Sequence, residues 1–232
     1  MKKPLRLFFA LFCAGVFGLL TGCVEPELML RIDPEDTGAI RIGICGRAVS
    51  GGIGFSEYSS LCIRLAHDCR GVCAEAADRL VREGCPNTLI VSPPGGGKTT
   101  ALRDLIRSFA DGGIRVGVVD ERGELSGGIF DLGRCSDVIS GMDKLSGALL
   151  LLRSMSPQIV AVDEISAPED LQAIEEIGGC GVGILATIHA RDDADLKRRG
   201  AYRALMKSGL FERLLVIRQN GGERSYEMRE YL

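Results

Sequence analysis

The stretch Ser92-Pro93-Pro94-Gly95-Gly96-Gly97-Lys98-Thr99-Thr100 constrains this chain more than any other. An apolar run, Asn87-Thr88-Leu89-Ile90-Val91, leads into it with strand character, and Thr99 to Ile106 leads out with helical character. Strand, glycine-rich turn and Lys-Thr at a helix start form the context in which such a pattern cradles phosphate. The glycines let backbone N–H groups turn inward, and the helix N-terminus adds partial positive charge. Lys98 is placed to reach terminal phosphates and the Thr99 hydroxyl to hold Mg²⁺. Residues Ser92, Pro93, Pro94, Gly95, Gly96, Gly97, Lys98, Thr99 and Thr100 are therefore the candidate nucleotide-binding set. Ser92 stands where the usual pattern has glycine. A plain Gly/Pro turn that happens to precede Lys-Thr is the competing explanation, and the strand–helix frame weighs against it. The expectation is a nucleoside triphosphate site.

Composition narrows the partners. With 46% hydrophobic and 25% charged residues in 232, the chain can bury a core and form one or two domains. A net charge of −3 offers no general attraction to nucleic acid, and the lack of tryptophan removes a favoured base-stacking residue. Nucleic acid is thus not the expected partner. The nine cysteines are irregularly spaced. Cys69 and Cys73, one helical turn apart, leave a zinc site open, but no second close pair accompanies them. Reduced thiols packed as small hydrophobes are the favoured reading, which implies a reducing compartment.

The first residues point elsewhere. A basic start, Met1 to Arg6, precedes an apolar run from Leu7 to Leu20, too short for an ordinary membrane span. It ends in Leu20-Thr21-Gly22-Cys23, which resembles the lipobox of bacterial lipoproteins. Export would carry a nucleotide-hydrolysing domain away from its substrate. In such a lipobox Cys23 would be acylated after cleavage; a misassigned or recombined start, an uncleaved anchor and a buried apolar helix all stay open. Residues 1–23 are set apart as signal-like or anchor-like, 24–70 as a β-rich region, and 71–232 as the core.

In the β-rich region, 39–46 and 60–66 read as strands with a turn at Gly51–Gly54 between them. Residues 72–81 have helical spacing, and Gly84-Cys85-Pro86 stops the helix. His67 has no acid or second ligand nearby in sequence, which favours a structural role. From residue 87 onward strands and helices alternate, the signature of a parallel α/β sheet. Ile114 to Val119 is a strand ending in Asp120-Glu121-Arg122-Gly123-Glu124, at the end where such sheets bind ligands. Residues 126–140 read as a loop, and 143–155 as a helix whose Ala148–Leu152 run must be buried.

Gln158-Ile159-Val160-Ala161-Val162-Asp163-Glu164 is the second strong signal. A buried strand here delivers two carboxylates to the sheet edge, Asp163 to orient Mg²⁺ and Glu164 to polarise the attacking water. A strand merely capped by surface acids is the competing explanation. Residues 168–177 form a helix, and 182–187 a strand that runs into His189. Residues 192–208 read as one basic helix, and Asn220-Gly221-Gly222 as the turn of a terminal hairpin.

Together the motifs resemble the stage III sporulation protein AA family, over residues 39–219. The matching stretches are Ile44–Val49, Ser92-Pro93-Pro94, Val119–Glu124, Leu152–Pro157 leading into Val162–Ile165, and Thr187–Ala190. The resemblance implies an α/β, RecA-like P-loop core with a mostly parallel sheet flanked by helices, behind a small truncated β-rich region. It further implies a secretion-type ATPase that uses ATP and Mg²⁺ and assembles as a homo-oligomeric, hexameric ring. Its partners would be membrane channel proteins of a sporulation complex. It would be cytoplasmic and peripheral at the inner face of a membrane; anchoring through residues 1–23 is the alternative. Asp120–Glu124 takes the place of the family's Asp box and Thr187–Ala190 that of its His box. Glu124, Arg122 and His189 thereby join Lys98 and Glu164 as candidate catalytic residues, and Arg134 and Arg153 become further candidates for contacting phosphate. Two rivals remain: a nucleic-acid-binding regulator, and a nucleotide-binding remnant without turnover.

Overall fold

The computed structural model describes residues 40–48, 55–65, 68–127, 130–221 and 223–231. The expectations for residues 1–23, for the turn at Gly51–Gly54 and for His67 lie outside these described residues. The chain divides into two units at Leu65. In the first, β1 (Ile40–Ala48) pairs antiparallel with β2 (Phe55–Leu65), from Ile40 opposite Leu65 to Ala48 opposite Phe55. Two register shifts in this ladder, after Cys45 and after Arg47, carry the extra residues.

The second unit is built on a seven-stranded sheet. Its strands are β3 (Thr88–Ser92), β4 (Val116–Asp120), β5 (Ser136–Ser140), β6 (Ile159–Ile165), β7 (Gly183–His189), β8 (Arg213–Asn220) and β9 (Glu223–Glu230). They lie in the order β5-β4-β6-β7-β3-β8-β9. All pairings are parallel except that of β8 with β9, the terminal hairpin. β3 and β4 are buried along their whole length, as strands of a sheet covered on both faces must be. Helices α1 (Ala74–Arg82) and α2 (Lys98–Asp111) pack on one face, where Leu80, Leu102, Leu105, Ile106 and Phe109 meet Ile90 and Leu215. On the other face α3 (Lys144–Ser154), α4 (Pro168–Gly178) and α6 (Gly200–Lys207) meet Val91, Val162 and Leu214.

Three expectations change. The 126–140 stretch is not all loop, because β5 extends the sheet beside β4. Ser-Asp-Val-Ile-Ser carries too little apolar signal to be read as a strand, and as an edge strand with one partner it needs little. The apolar run of α3 is only partly buried: Ala148 and Leu151 are covered, but Leu150 is 47% exposed. That helix packs on the sheet over β4 and β5 through one stripe, and the rest of its surface faces outward. The basic segment 192–208 is two helices, α5 (Asp193–Arg198) and α6, broken at Arg199. Arg199 is extended, at φ −81° and ψ 115°, and its guanidinium reaches back to the His189 carbonyl at 3.0 Å and to Asp195 at 3.0 Å.

Buried charge on α2 ties the outer segments to the core. Asp104 is 2% exposed and accepts the backbone N–H groups of Gly71 and Cys73, both at 2.8 Å. That contact fixes where the chain enters α1. Arg107 donates to the Asp131 carbonyl at 2.8 Å and pairs with Asp68. Asp104→Ala strands two donors, and leaving each unsatisfied costs about 1–3 kcal/mol. Thermal unfolding followed by circular dichroism should show a midpoint lowered by roughly 5–12 °C, given about 2–4 °C per kcal/mol for a chain of this size. A midpoint within 2 °C of wild type, roughly the effect of less than 1 kcal/mol, would contradict the anchoring role.

Candidate phosphate and carboxylate site

The loop between β3 and α2 takes a shape that its glycines alone permit. Gly95 has φ 75° and Gly97 φ 99°, left-handed values that L side chains rarely adopt. Gly96 is required for a different reason: a Cβ there would collide with Ser92 Oγ. Ser92 is fully buried, and its hydroxyl donates to the Pro93 carbonyl at 2.9 Å. The serine in place of the usual glycine thus sits beneath the loop, in space that Gly96 leaves free. The Pro93 carbonyl also accepts the Gly96 N–H at 3.1 Å, closing the turn.

Lys98 opens α2 and is 6% exposed. Its ammonium lies 2.6 Å from His189 Nδ1. An ammonium has only donors, so Nδ1 carries the lone pair and Nε2 the hydrogen. Nε2 then donates to Glu164 Oε2, 3.0 Å away. A chain of hydrogen bonds therefore joins the loop lysine, the end of β7 and the end of β6. Burial pushes the Lys98 ammonium below the ordinary lysine range, opposed by the nearby carboxylates of Glu164, Asp163 and Glu124.

Adjacent residues of a regular strand point to opposite faces. Here the β6–β7 ladder slips between Val162, opposite Ala186, and Glu164, opposite Thr187. This irregularity breaks the alternation at Asp163, and both carboxylates act on Lys98. Burial, and then the charges of Glu124, Asp120 and Glu164, raise the Asp163 carboxyl to about 6. Crowded carboxylates suit Mg²⁺, which keeps several waters and takes one or two protein oxygens together with phosphate. Asp163, and Thr99 next to Lys98 at the start of α2, are the residues that would hold it. Among the described residues no group of three or more His, Cys, Asp or Glu side chains forms a self-contained metal cage.

The segment after β4 is held from beneath. Asp120 is fully buried and accepts Leu125 N–H at 2.9 Å, Ser126 N–H at 2.8 Å and Ser126 Oγ at 2.9 Å. Arg103 of α2 donates to the Glu124 carbonyl at 2.8 Å and stacks on Phe130 at 3.8 Å. Lys144, buried at the start of α3, bridges Glu121 at 2.7 Å and Asp170 at 3.0 Å. Asp170 in turn caps the segment that leaves β6, accepting Ser166 N–H at 2.8 Å and Ala167 N–H at 3.0 Å. Of these supports the sequence singles out only Asp120 and Glu121, as part of the strand-end cluster, and not Arg103, Lys144 or Asp170. Arg103 and Lys144 look there like ordinary helix-surface cations.

The candidate arginines separate. Arg122 is exposed and is the second residue after β4, at the strand ends where the loop lies. Arg134 lies at the other end of α2, where its backbone N–H meets Asp111. Arg153 is in the last turn of α3, away from the strand ends. Thr187, one strand step before His189, is 1% exposed, and its hydroxyl has no partner among the described residues.

The family model for "Sporulation stage III, protein AA" matches residues 35–227. A curated relative from Bacillus subtilis (strain 168), stage III sporulation protein AA, is 34% identical over 198 residues. The chain belongs to the stage III sporulation protein AA family. The match covers 80% of this chain and 64% of that relative, so the chain spans under two thirds of the relative's length. Among solved structures the fold is similar to the ATPase DotB of Yersinia pseudotuberculosis, with TM-score 0.58, 13% identity and 93% of this chain on 59% of that one. DotB of Legionella pneumophila is similar with TM-score 0.55 and 14% identity, 82% of this chain on 57% of that one. The pilus retraction motor PilT, solved with bound ADP, is similar with TM-score 0.56 and 14% identity, 82% on 63%. At these identities the likeness shows the fold: a RecA-like α/β core. Among the described residues no helix is long and apolar enough to cross a membrane.

The raised carboxyl sets a pH dependence. Asp163 titrates near 6 in the folded chain and near ~4 in an unfolded one. Between those values the folded state holds the extra proton, so its stability falls as pH rises through the window. Asp163→Asn lacks this term. In metal- and nucleotide-free protein its melting temperature should gain on wild type from about pH 4 to pH 7. Parallel pH profiles for the two proteins would contradict the assignment.

Proposed function

We propose that this chain is an ATP-binding and ATP-hydrolysing motor protein of a sporulation-associated membrane channel complex. The observation that carries this reading is the hydrogen-bond chain from Lys98 through His189 to Glu164, at the mouth of a glycine-rich loop. It joins a phosphate-binding cation to a carboxylate able to take a proton from water.

In this reading the loop N–H groups and the α2 N-terminus bind the β- and γ-phosphates of ATP. Lys98 exchanges its His189 contact for phosphate oxygen. Thr99 and Asp163 hold Mg²⁺, which offsets charge on the phosphates when bound. Glu164 orients a water in line with the γ-phosphorus and accepts its proton as the new P–O bond forms. The bond from phosphorus to the β,γ-bridging oxygen breaks, and ADP and inorganic phosphate leave. His189 holds Glu164 through Nε2–H and is placed to register loss of the γ-phosphate. Glu124 lies close enough to act on the same charges.

Arg122, exposed at the strand ends, suits a role across a subunit boundary in a homo-oligomeric ring of six. An arginine supplied in this way is worth about 10³–10⁵ in rate in other P-loop enzymes. The family assignment supports a place at the cytoplasmic face of a sporulation membrane complex. The bound ADP of PilT supports nucleotide binding by a core of this fold.

Steady-state ATPase assays with Mg²⁺ test the reading. Lys98→Ala should abolish both nucleotide binding and turnover. Glu164→Gln should keep binding and lose about 10²–10⁴-fold in kcat, the usual share of a positioned base. Equal kcat for wild type and Glu164→Gln would remove Glu164 from its role.

A further inference from the structure

We propose that the cleft between the start of α1 and the start of β9 receives the nucleoside of the nucleotide, with Arg224 at its junction with the phosphate loop. This rests on the reading of Gly95–Lys98 as a triphosphate site, and adds where the base and sugar go.

The cleft has a volume of about 420 Å³, within the ~300–1,000 Å³ typical of small-molecule sites. Its walls are Val72, Cys73 and Ala76 on one side, and Tyr226 and Met228 on the other. Tyr226 and Met228 alternate along β9 with the more exposed Ser225 and Glu227, so they face α1 together. The arrangement is a slot with an aromatic ring on one wall and aliphatic groups on the other, which suits a flat heteroaromatic base. Burial pushes the Cys73 thiol up to about 12, so that wall stays uncharged at any physiological pH.

Two observations connect the slot to the phosphate loop. Arg224 lines the cleft, and its Nε lies 3.2 Å from the position a Cβ on Gly97 would take. Gly97 is the residue before Lys98, so the cleft begins where the loop ends. The second is direction. Lys98 contacts His189 on β7, which contacts Glu164 on β6, and both strands lie to one side of β3. A terminal phosphate held there sends the inner phosphate and sugar toward the opposite side, where β8 and β9 lie. β9 runs antiparallel to β8, so its first residues, Glu223 and Arg224, are level with the carboxyl ends of the parallel strands. Arg224 is then placed beside the inner phosphate and the slot behind it receives the base. Glu75 at the rim offers a carboxylate to an exocyclic amino group.

The test is calorimetric titration of the full chain with Mg·ADP and, separately, with Mg·tripolyphosphate, which has phosphates but no nucleoside. Tyr226→Ala removes the aromatic wall, and Met228→Trp fills the slot. Each should weaken ADP at least tenfold while tripolyphosphate stays within twofold of wild type, and retained tripolyphosphate binding also certifies the fold. Unchanged ADP affinity in both variants, or equal losses of both ligands, would overturn the proposal. Failure of the underlying reading looks different. Wild type would then bind neither ligand, or Lys98→Ala would bind both as well as wild type does, and the nucleoside site would fall with it.

Discussion

A lysine ammonium held under 10% exposed at the ends of buried strands is the constraint on which the rest of this structure depends. Lys98 is only 6% exposed, and burying an unpaired cation is costly. The fold meets that cost with one acceptor and three carboxylates brought to the carboxyl edge of the sheet. β7 supplies His189, β6 supplies Glu164 and Asp163, and the segment after β4 supplies Glu124. Without bound phosphate the His189 ring takes one of the ammonium hydrogens. A phosphate in its place would bring more negative charge and more acceptors to the ammonium.

The segments that carry these groups are held in turn by side chains from other elements. Asp120 gathers three donors from Leu125 and Ser126, and Arg103 pins the Glu124 carbonyl, which shapes the segment carrying Glu124. Lys144 bridges that segment to Asp170, and Asp170 caps the backbone leaving β6. The break at Arg199 belongs to the same construction, since its guanidinium takes the His189 carbonyl. Together these contacts make a hydrogen-bonded polar layer along the carboxyl edge of the sheet, above two apolar cores, in which Arg103 Nε and the Thr187 hydroxyl have no partner among the described residues.

Much of this was legible in the sequence because its signals are local. The glycine-rich loop with Lys98 and Thr99, the apolar run ending in Asp163-Glu164 and the strand ending in His189 each carry their pattern within about ten residues. The sheet's alternation followed from the same runs. What escaped notice depends on partners distant in sequence. Arg103 and Lys144 become structural only once α2 and α3 meet the segment after β4. β5 is too short and polar to announce itself beside β4. The α5–α6 break is set by a contact from Arg199 back to His189, which no helical periodicity encodes. Ser92 is legible as an oddity, but its fit against Gly96 arises only in the folded loop.

Lys98 holds His189 in the free protein and, in the proposed function, phosphate in the bound one. Long-range ¹H–¹⁵N correlation of the histidine side chains tests this directly, because the chain has only two histidines and His67→Gln leaves His189 alone. The free protein should show hydrogen on Nε2 and an acceptor Nδ1. Saturation with Mg²⁺ and a non-hydrolysable ATP analogue should move the Nδ1 resonance as Lys98 leaves it. Saturable binding of the analogue with the Nδ1 signal unmoved, or an Nδ1–H tautomer in the free protein, would contradict the account.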